Sequence, residues 1–225
     1  MVTSVRDGPL QVEVWGDFAC FTRPEMKVER VSYPVMTPSA ARGVLEAIFW
    51  KPEFRWHVGQ IAVLSEIKYF SILRNEVNGV ASERAARAWA KTGGGYFADE
   101  DRAQRHTLAL RAVHYRVSAR MELHPHATDD ITKYRDQFRR RVQSGRCFAT
   151  PYLGCREFSA AFGPVSDRPP IDLTDELGTM LHDIDYDPTG GRFTPRFFQA
   201  RLDRGVLHVP EWKREEAAHA TAEAE

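Results

Sequence analysis

Apolar and polar residues alternate at the start of the ordered-looking part of the chain. Leu10, Val12 and Val14 face one way, and Gln11, Glu13 and Trp15 the other. That two-residue period predicts a half-buried strand over 10–17, ended by the turn chemistry of Gly16-Asp17. The period then changes to three and four: Ala41, Val44, Leu45, Ile48 and Phe49 make one apolar helical face. Thr37 is suited to cap the first free amides, Pro38 fits the first helical position, and Pro52 stops the helix. Residues 61–70, continuing through 71–77, read as a strand. Residues 107–122 alternate throughout and are predicted to pair with 61–77 as an antiparallel hairpin. Between them, 82–106 is rich in Ala, Arg and Glu around Gly93-Gly94-Gly95, and reads as a mobile insertion with helical tendency.

A second helix begins at Asp129 or Asp130 and is closed by Gly145. Ile131, Tyr134, Phe138 and Val142 share its apolar face, surrounded by Lys133, Arg135, Arg139, Arg140 and Arg141. Residues 147–162 read as two short strands about a glycine turn. The order strand–helix–strand–strand–helix–strand over 10–162 predicts an α+β chain with a ferredoxin-like arrangement. Composition shifts at Gly163. Residues 163–212 read as a small antiparallel β-meander domain, with a hairpin turn at Gly190-Gly191, and the polar, alanine-rich 213–225 as a disordered tail. The expected division is therefore 1–162, 163–212 and 213–225.

Composition changes this picture little. Hydrophobic residues make up 43% and charged residues 28% of 225, enough for a packed core. The formal net charge is zero, so any affinity for phosphates must come from local clustering. Three cysteines (Cys20, Cys147 and Cys155) without a CxxC pair argue for free thiols in a reducing compartment. The first residues carry no apolar signal core and no window approaches a membrane span, so a cytoplasmic protein with no membrane partner is expected.

Phosphate-binding glycine loops, a GxSxG elbow and HExxH are absent from the sequence. Two stretches carry candidate chemistry. Arg23, Lys27 and Arg30 are interleaved with Phe18, Phe21 and Tyr33, the mixture of cations and aromatics that holds single-stranded nucleic acid. His124, His126, Lys133 and Tyr134 lead into the arginine run 139–141. Cleaving RNA without a metal needs a base for the 2′-OH, an acid for the leaving oxygen and a cation beside the phosphorane. Those four residues offer such groups, although a solvated helix face and plain loop histidines account for the same spacing. Asp129 and Asp130 beside the two histidines leave open a metal-dependent DNA nuclease.

The run WGDFACFTRPEMKVERVSYPVMTPSAARGVLEAIFWKP at 15–52 closely resembles the start of the Dvulg-subtype Cas five family of CRISPR-associated proteins, from type I-C systems. RNEV at 74–77, HYRV at 114–117, YLGCREF at 152–158 and TMLHDIDY at 179–186 extend the resemblance over about 10–212. It implies a ferredoxin-like RAMP domain followed by a small β domain. It also implies an endoribonuclease, without metal or other cofactor, that cuts the repeat hairpin of precursor crRNA. The enzyme then keeps the 5′ handle inside a Cascade-type complex beside its large and backbone subunits. The reaction implied is attack by the 2′-OH, leaving a cyclic phosphate and a 5′-hydroxyl. Other Cas five subtypes only hold the handle, which makes a non-catalytic scaffold the alternative.

The family site pairs a tyrosine just before Trp-Lys-Pro with a lysine-histidine pair opening a later basic segment. Here those positions carry Phe49, Lys133 and Tyr134. Lys133 fits the pattern. Phe49 has no proton to transfer and can only shape a pocket, which leaves Tyr134, or His124 and His126, to move protons. Arg23, Lys27, Arg30, Arg74, Arg139 and Arg140 are the candidate RNA-contacting cations.

Overall fold

A single 22-residue strand, Arg102–Leu123, gives the molecule its frame. The computed structural model describes residues 8–26, 28–79, 82–186 and 193–211. In chain order the elements are β1 (Leu10–Ala19), β2 (Arg30–Val31), α1 (Pro38–Ile48), β3 (Phe54–Val63), β4 (Tyr69–Val77), α2 (Glu83–Thr92), β5 (Arg102–Leu123), α3 (Ile131–Ser144), β6 (Ala161–Gly163), β7 (Asp175–Tyr186), β8 (Phe193–Asp203) and β9 (Val206–His208). The sheet runs β6-β1-β5-β3-β9-β8-β7, with β2 and β4 also pairing β5. The chain is thus α+β. The 213–225 tail, Lys27 and the Gly190-Gly191 turn lie outside the described residues.

β5 can serve several partners because it changes neighbour along its length. Residues 115–123 pair with β3, 102–110 with β4, and 110–119 with β1 on the other edge. Leu110, Val113, Tyr115, Val117, Ala119 and Met121 turn inward. The alternation is interrupted at Arg111-Ala112, both exposed, where Ala112 takes a φ of 51°. A non-glycine residue in that region marks a local irregularity, which carries the inward face from Leu110 to Val113 while the register against β1 continues unbroken. The expected 61–77 strand is therefore two strands. It begins earlier, at Phe54, and breaks over 64–68 where β5 hands over. The 82–106 insertion caps that hairpin: α2 fills its first half and β5 already begins at Arg102. In 147–162 only Ala161–Gly163 at the end is a strand, and the first expected strand is reduced to a bridge between Tyr152 and Ser159.

The helices start where the sequence places them. Thr37 Oγ1 accepts a hydrogen bond from the Ala40 amide at 3.3 Å, and the Asp130 carboxylate from Thr132 at 2.7 Å. Gly145 adopts the left-handed conformation that closes α3. α1 and α3 bury Leu45, Ile48, Tyr134, Phe138 and Val142 in one core with Phe54, Trp56, Tyr115 and Val117. Phe21 and Tyr33, expected in a basic-aromatic loop, belong to that core at 2% and 1% exposure. The loop folds back so that the Tyr33 amide bonds Phe21 O at 2.8 Å and its hydroxyl receives the Leu181 amide at 3.3 Å. Of the three tryptophans at 15, 50 and 56, only Trp56 is a core anchor.

Glu13 also departs from expectation. Strand alternation puts it on the polar face, yet it is 3% exposed because the 163–168 connection covers it. Its carboxylate accepts hydrogen bonds from Arg116 Nη2 (2.9 Å), the Ser166 amide (3.0 Å) and hydroxyl (2.9 Å), and meets His114 Nε2 at 3.0 Å. Burial opposes ionisation, but Arg116, then Ser166 and His114, outweigh it and hold the group below the ordinary 4.5. A depressed carboxyl stabilises the fold fully above its unfolded value near 4.5, and that contribution is lost as pH falls through the folded value. Glu13→Gln is therefore expected to cost about 3 kcal/mol at neutral pH in urea unfolding. The variant is also expected to lose less stability than the wild type on further acidification. Equal urea midpoints for the two proteins would show that the buried carboxylate is dispensable.

Candidate active site

The turn that leaves α1 brings the candidate residues together. Phe49 ends the helix, its amide bonded to Leu45 O at 2.8 Å. Its ring is buried beneath the Arg141 guanidinium, 5.2 Å from the ring centre, and beside Phe54 at 5.4 Å. Phe54 in turn meets the Tyr134 ring at 5.4 Å. The chain then passes Pro52, whose carbonyl lies 2.9 Å from His126 Nε2, and Glu53, whose carbonyl receives the His124 amide at 2.8 Å. The His124 and His126 rings stack at 5.5 Å. Lys133, on the first turn of α3, donates to Asp129 at 2.7 Å. Phe49, His124, His126, Lys133 and Tyr134 therefore border one small region built on residues 49–53.

Their chemistry differs. Lys133 is exposed, and its hydrogen bond to Asp129 raises its pKa, so it is a cation throughout the ordinary pH range. Tyr134 is 3% exposed, and its hydroxyl is buried without a hydrogen bond of ordinary geometry. Burial, then the charges of Glu53 and Asp129 and a loose contact with the Asp129 carboxylate, push that hydroxyl up, with Lys133 pulling the other way. Tyr134 is thus less apt to act as a base than free tyrosine. The contact with Pro52 O requires the proton of His126 on Nε2, which leaves Nδ1 with a lone pair for proton transfer. The arrangement supplies an exposed cation and two imidazoles, the parts general acid–base cleavage of a phosphodiester requires.

The metal reading loses its ligands. Asp130 caps α3 and Asp129 is engaged by Lys133. Among the described residues no group of three or more His, Cys, Asp or Glu is arranged to hold a metal ion.

The candidate RNA-contacting residues fall into separate places. Arg139 pairs with Asp136 at 2.9 Å, and Arg140 lines a hollow of about 480 Å³ with Gln137, Arg141, Ser144 and Arg146. Arg30 and Arg74 lie at the far end of β5. Arg30 pairs in register with Thr107 and Arg74 with Arg105, so about 50 Å of extended strand separates them from Leu123. There they share Glu76 and Glu157, and Arg105 reaches Glu76 as well. Arg23 covers the Tyr33 ring at 4.7 Å. Phe18, on β1 rather than in a loop, is 37% exposed and stacks on Phe70 at 5.1 Å; of Phe18, Phe21 and Tyr33 it alone is open to a ligand. Between α1, β3 and β7 opens a cleft of about 540 Å³, with His124 on its wall and Arg42 reaching Asp183 and Glu46, both at 2.8 Å.

Arg141 and Glu53 were not legible as site residues. The first is one arginine in a run of three, and only packing shows it donating to Ile48 O at 2.8 Å above Phe49. Asp129 could have been found, since it stands four residues before Lys133 on what becomes the helix entry.

Comparison with known proteins gives this geometry a context. A family model described as CRISPR-associated protein (Cas_Cas5) matches residues 10–210, and the chain belongs to that family. Within it, the chain is 48% identical over 224 residues to the CRISPR pre-crRNA endoribonuclease Cas5d of Thermus thermophilus, covering 92% of this chain and 93% of that protein. It is 42% identical over 223 residues to the protein of the same description from Mannheimia succiniciproducens, covering 92% and 97%. A crystal structure of a CRISPR-associated protein shares the fold at a TM-score of 0.64 and 22% identity, over 89% of this chain and 91% of the other.

Two substitutions separate packing from chemistry here. Phe49→Ala is expected to cost about 4 kcal/mol, because it empties a closed site under Arg141. Tyr134→Phe removes a buried hydroxyl that has no good partner, so its melting temperature is expected to equal or exceed that of the wild type. A marked fall in melting temperature would reveal a hydrogen bond this geometry lacks.

Proposed function

We propose that this protein is an endoribonuclease that cleaves the repeat hairpin of precursor crRNA without a metal ion. It then holds the 5′ handle within a type I-C Cascade-type complex, in contact with the large and backbone subunits. The observation that carries the reading is the gathering of Lys133, His124 and His126 about the 49–53 turn, in a chain nearly half identical to named pre-crRNA endoribonucleases. In this reading Lys133 neutralises the phosphorane and His126, with His124, moves protons. Phe49 shapes the pocket floor. Tyr134 lies beneath the site and reaches substrate only if its buried hydroxyl turns outward. Arg23, Arg30 and Arg74 contact RNA at one end of β5, Arg139 and Arg140 at the other, and Lys27 joins them as a further RNA-contacting cation.

The ferredoxin-like RAMP description rests on the order β6-β1-β5-β3, all pairs antiparallel, with α1 and α3 as crossovers. The division near residue 163 rests on β7, β8 and β9, which join the rest of the sheet through β9 on β3. A cytoplasmic location fits the three free thiols, and no described helix is long and apolar enough to cross a membrane.

A second reading, a handle-binding scaffold that does not cut, is favoured by Phe49 and by the raised Tyr134 hydroxyl. Incubating the protein with its repeat RNA in EDTA distinguishes the two. Cleavage at one position is expected, slowed about 100-fold or more by Lys133→Ala and by His126→Ala, while RNA affinity stays close to wild type. A stable unprocessed complex would favour the scaffold, and undiminished cutting by Lys133→Ala would remove that residue from the chemistry. Affinity is expected to fall steeply with added salt, because each phosphate contact releases counterions.

A further inference from the structure

The YLGCREF run places a cysteine where neither catalysis nor the β-sheet needs one. The Cys20 amide at the end of β1 donates to Leu153 O at 3.0 Å, and the 151–160 loop closes on itself through Leu153 N to Phe158 O and Ala160 N to Pro151 O. Gly154 makes that approach possible. Its φ is 84°, and a Cβ there would stand 2.1 Å from Cys20 O. The next residue, Cys155, consequently turns its thiol onto Cys20, with Sγ 3.6 Å from Cys20 O. The two side chains form a small cluster of their own with Ala109, apart from the main core.

A third strand supplies the charge. Arg30 of β2 brings Nη1 to 3.5 Å from Cys155 Sγ, while also facing Glu157 at 3.3 Å and Glu76 at 3.5 Å. Cys20 is fully buried and touches Thr22 Oγ1 at 3.5 Å. Cys155 is 9% exposed, whereas Cys147 is exposed beside the end of α3. The neighbouring Cys20 thiol, then Arg30, lowers Cys155 to about 6 against the effects of burial and Glu157, whereas Cys20 is pushed up. Cys155, the more accessible thiol and the one beside Arg30, is thus the nucleophile and Cys20 its reserve.

We infer that Cys155 and Cys20 form a peroxide-sensitive pair, in which Cys155 is oxidised first and Cys20 then closes a disulfide between β1 and the 151–160 loop. The Cys155 thiolate attacks one oxygen of hydrogen peroxide. The O–O bond breaks, and the departing hydroxide takes a proton from solvent to become water, leaving Cys155 as a sulfenic acid. Cys20 sulfur then attacks the Cys155 sulfur and the S–O bond breaks. The second hydroxide leaves with the Cys20 proton, again as water. Two thiols lose two electrons and one peroxide gains them. The bridge would fasten the loop beneath the Arg30, Arg74 and Glu157 network. Exposure alone would instead direct the oxidant to Cys147.

The reduced full-length protein, freed of reductant and treated with a small excess of hydrogen peroxide, provides the test. Remaining thiols are alkylated in denaturant and the protein is mapped by mass spectrometry. The expected result is a mass lower by about 2 Da, a peptide joining Cys20 to Cys155 that dithiothreitol separates, and Cys147 still alkylated. Cys20→Ser is expected to stop at a sulfenic acid that dimedone traps on Cys155, and Arg30→Gln to slow oxidation about tenfold. Oxidation of Cys147 ahead of Cys155 would overturn the inference. So would Cys155 advancing to a sulfinic acid in the wild type without linking to Cys20. The wild-type map decides between these even if a variant fails to fold.

Discussion

β5 supplies main-chain hydrogen bonds to β1, β2, β3 and β4, and no other strand in the sheet serves as many partners. Its inward residues face α1 and α3, so the same strand carries both the ladder and much of the core. A strand shared in this way must pair with segments far away in sequence. Leu10 meets Ala119 and Phe54 meets Leu123, so little of the sheet can form before long loops close. The irregularity at Arg111-Ala112 falls where β5 passes from β3 to β4.

The two ends of β5 carry different chemistry, and this follows from the same geometry. At the Leu123 end, α1 stops and α3 starts, so loop and helix-terminus side chains converge there: His124, His126 and Lys133 outside, Phe49 and Tyr134 within. Loops at the ends of a rigid frame commonly carry function for this reason. At the Thr107 end, β2 and the 151–160 loop lie against the strand, and three arginines share two glutamates. Those cations are largely matched by acids, so an RNA phosphate there must compete with Glu76 and Glu157 for them.

Phe49 shows how a buried position can be filled by a ring that has no proton to transfer. The ring fills the place where the family resemblance expects a tyrosine, and Arg141 lies over its face. An arginine stacked on an aromatic ring in a dry site is attracted by the ring quadrupole. That contact keeps the end of α1 rigid even though no hydroxyl is present. In the proposed reaction, proton transfer then falls to groups nearer the surface, the histidines of the 124–126 turn.

The hydrophobic period alone located α1, α3 and the long hairpin, and Thr37 and Gly145 located where the helices begin and end. These are local effects, decided by backbone geometry and by which face meets the core. The family run at 15–52 was likewise visible in the residue order. Other features depended on segments distant in sequence. Glu13 looked solvated until the 163–168 connection covered it, and Phe21 and Tyr33 looked like a ligand grip until their loop folded under the sheet. Arg141 acquired its role by reaching Phe49 and Ile48, and Cys155 by a glycine that lets its loop approach Cys20. Alternation tells which way a side chain points; only tertiary packing decides what covers that face.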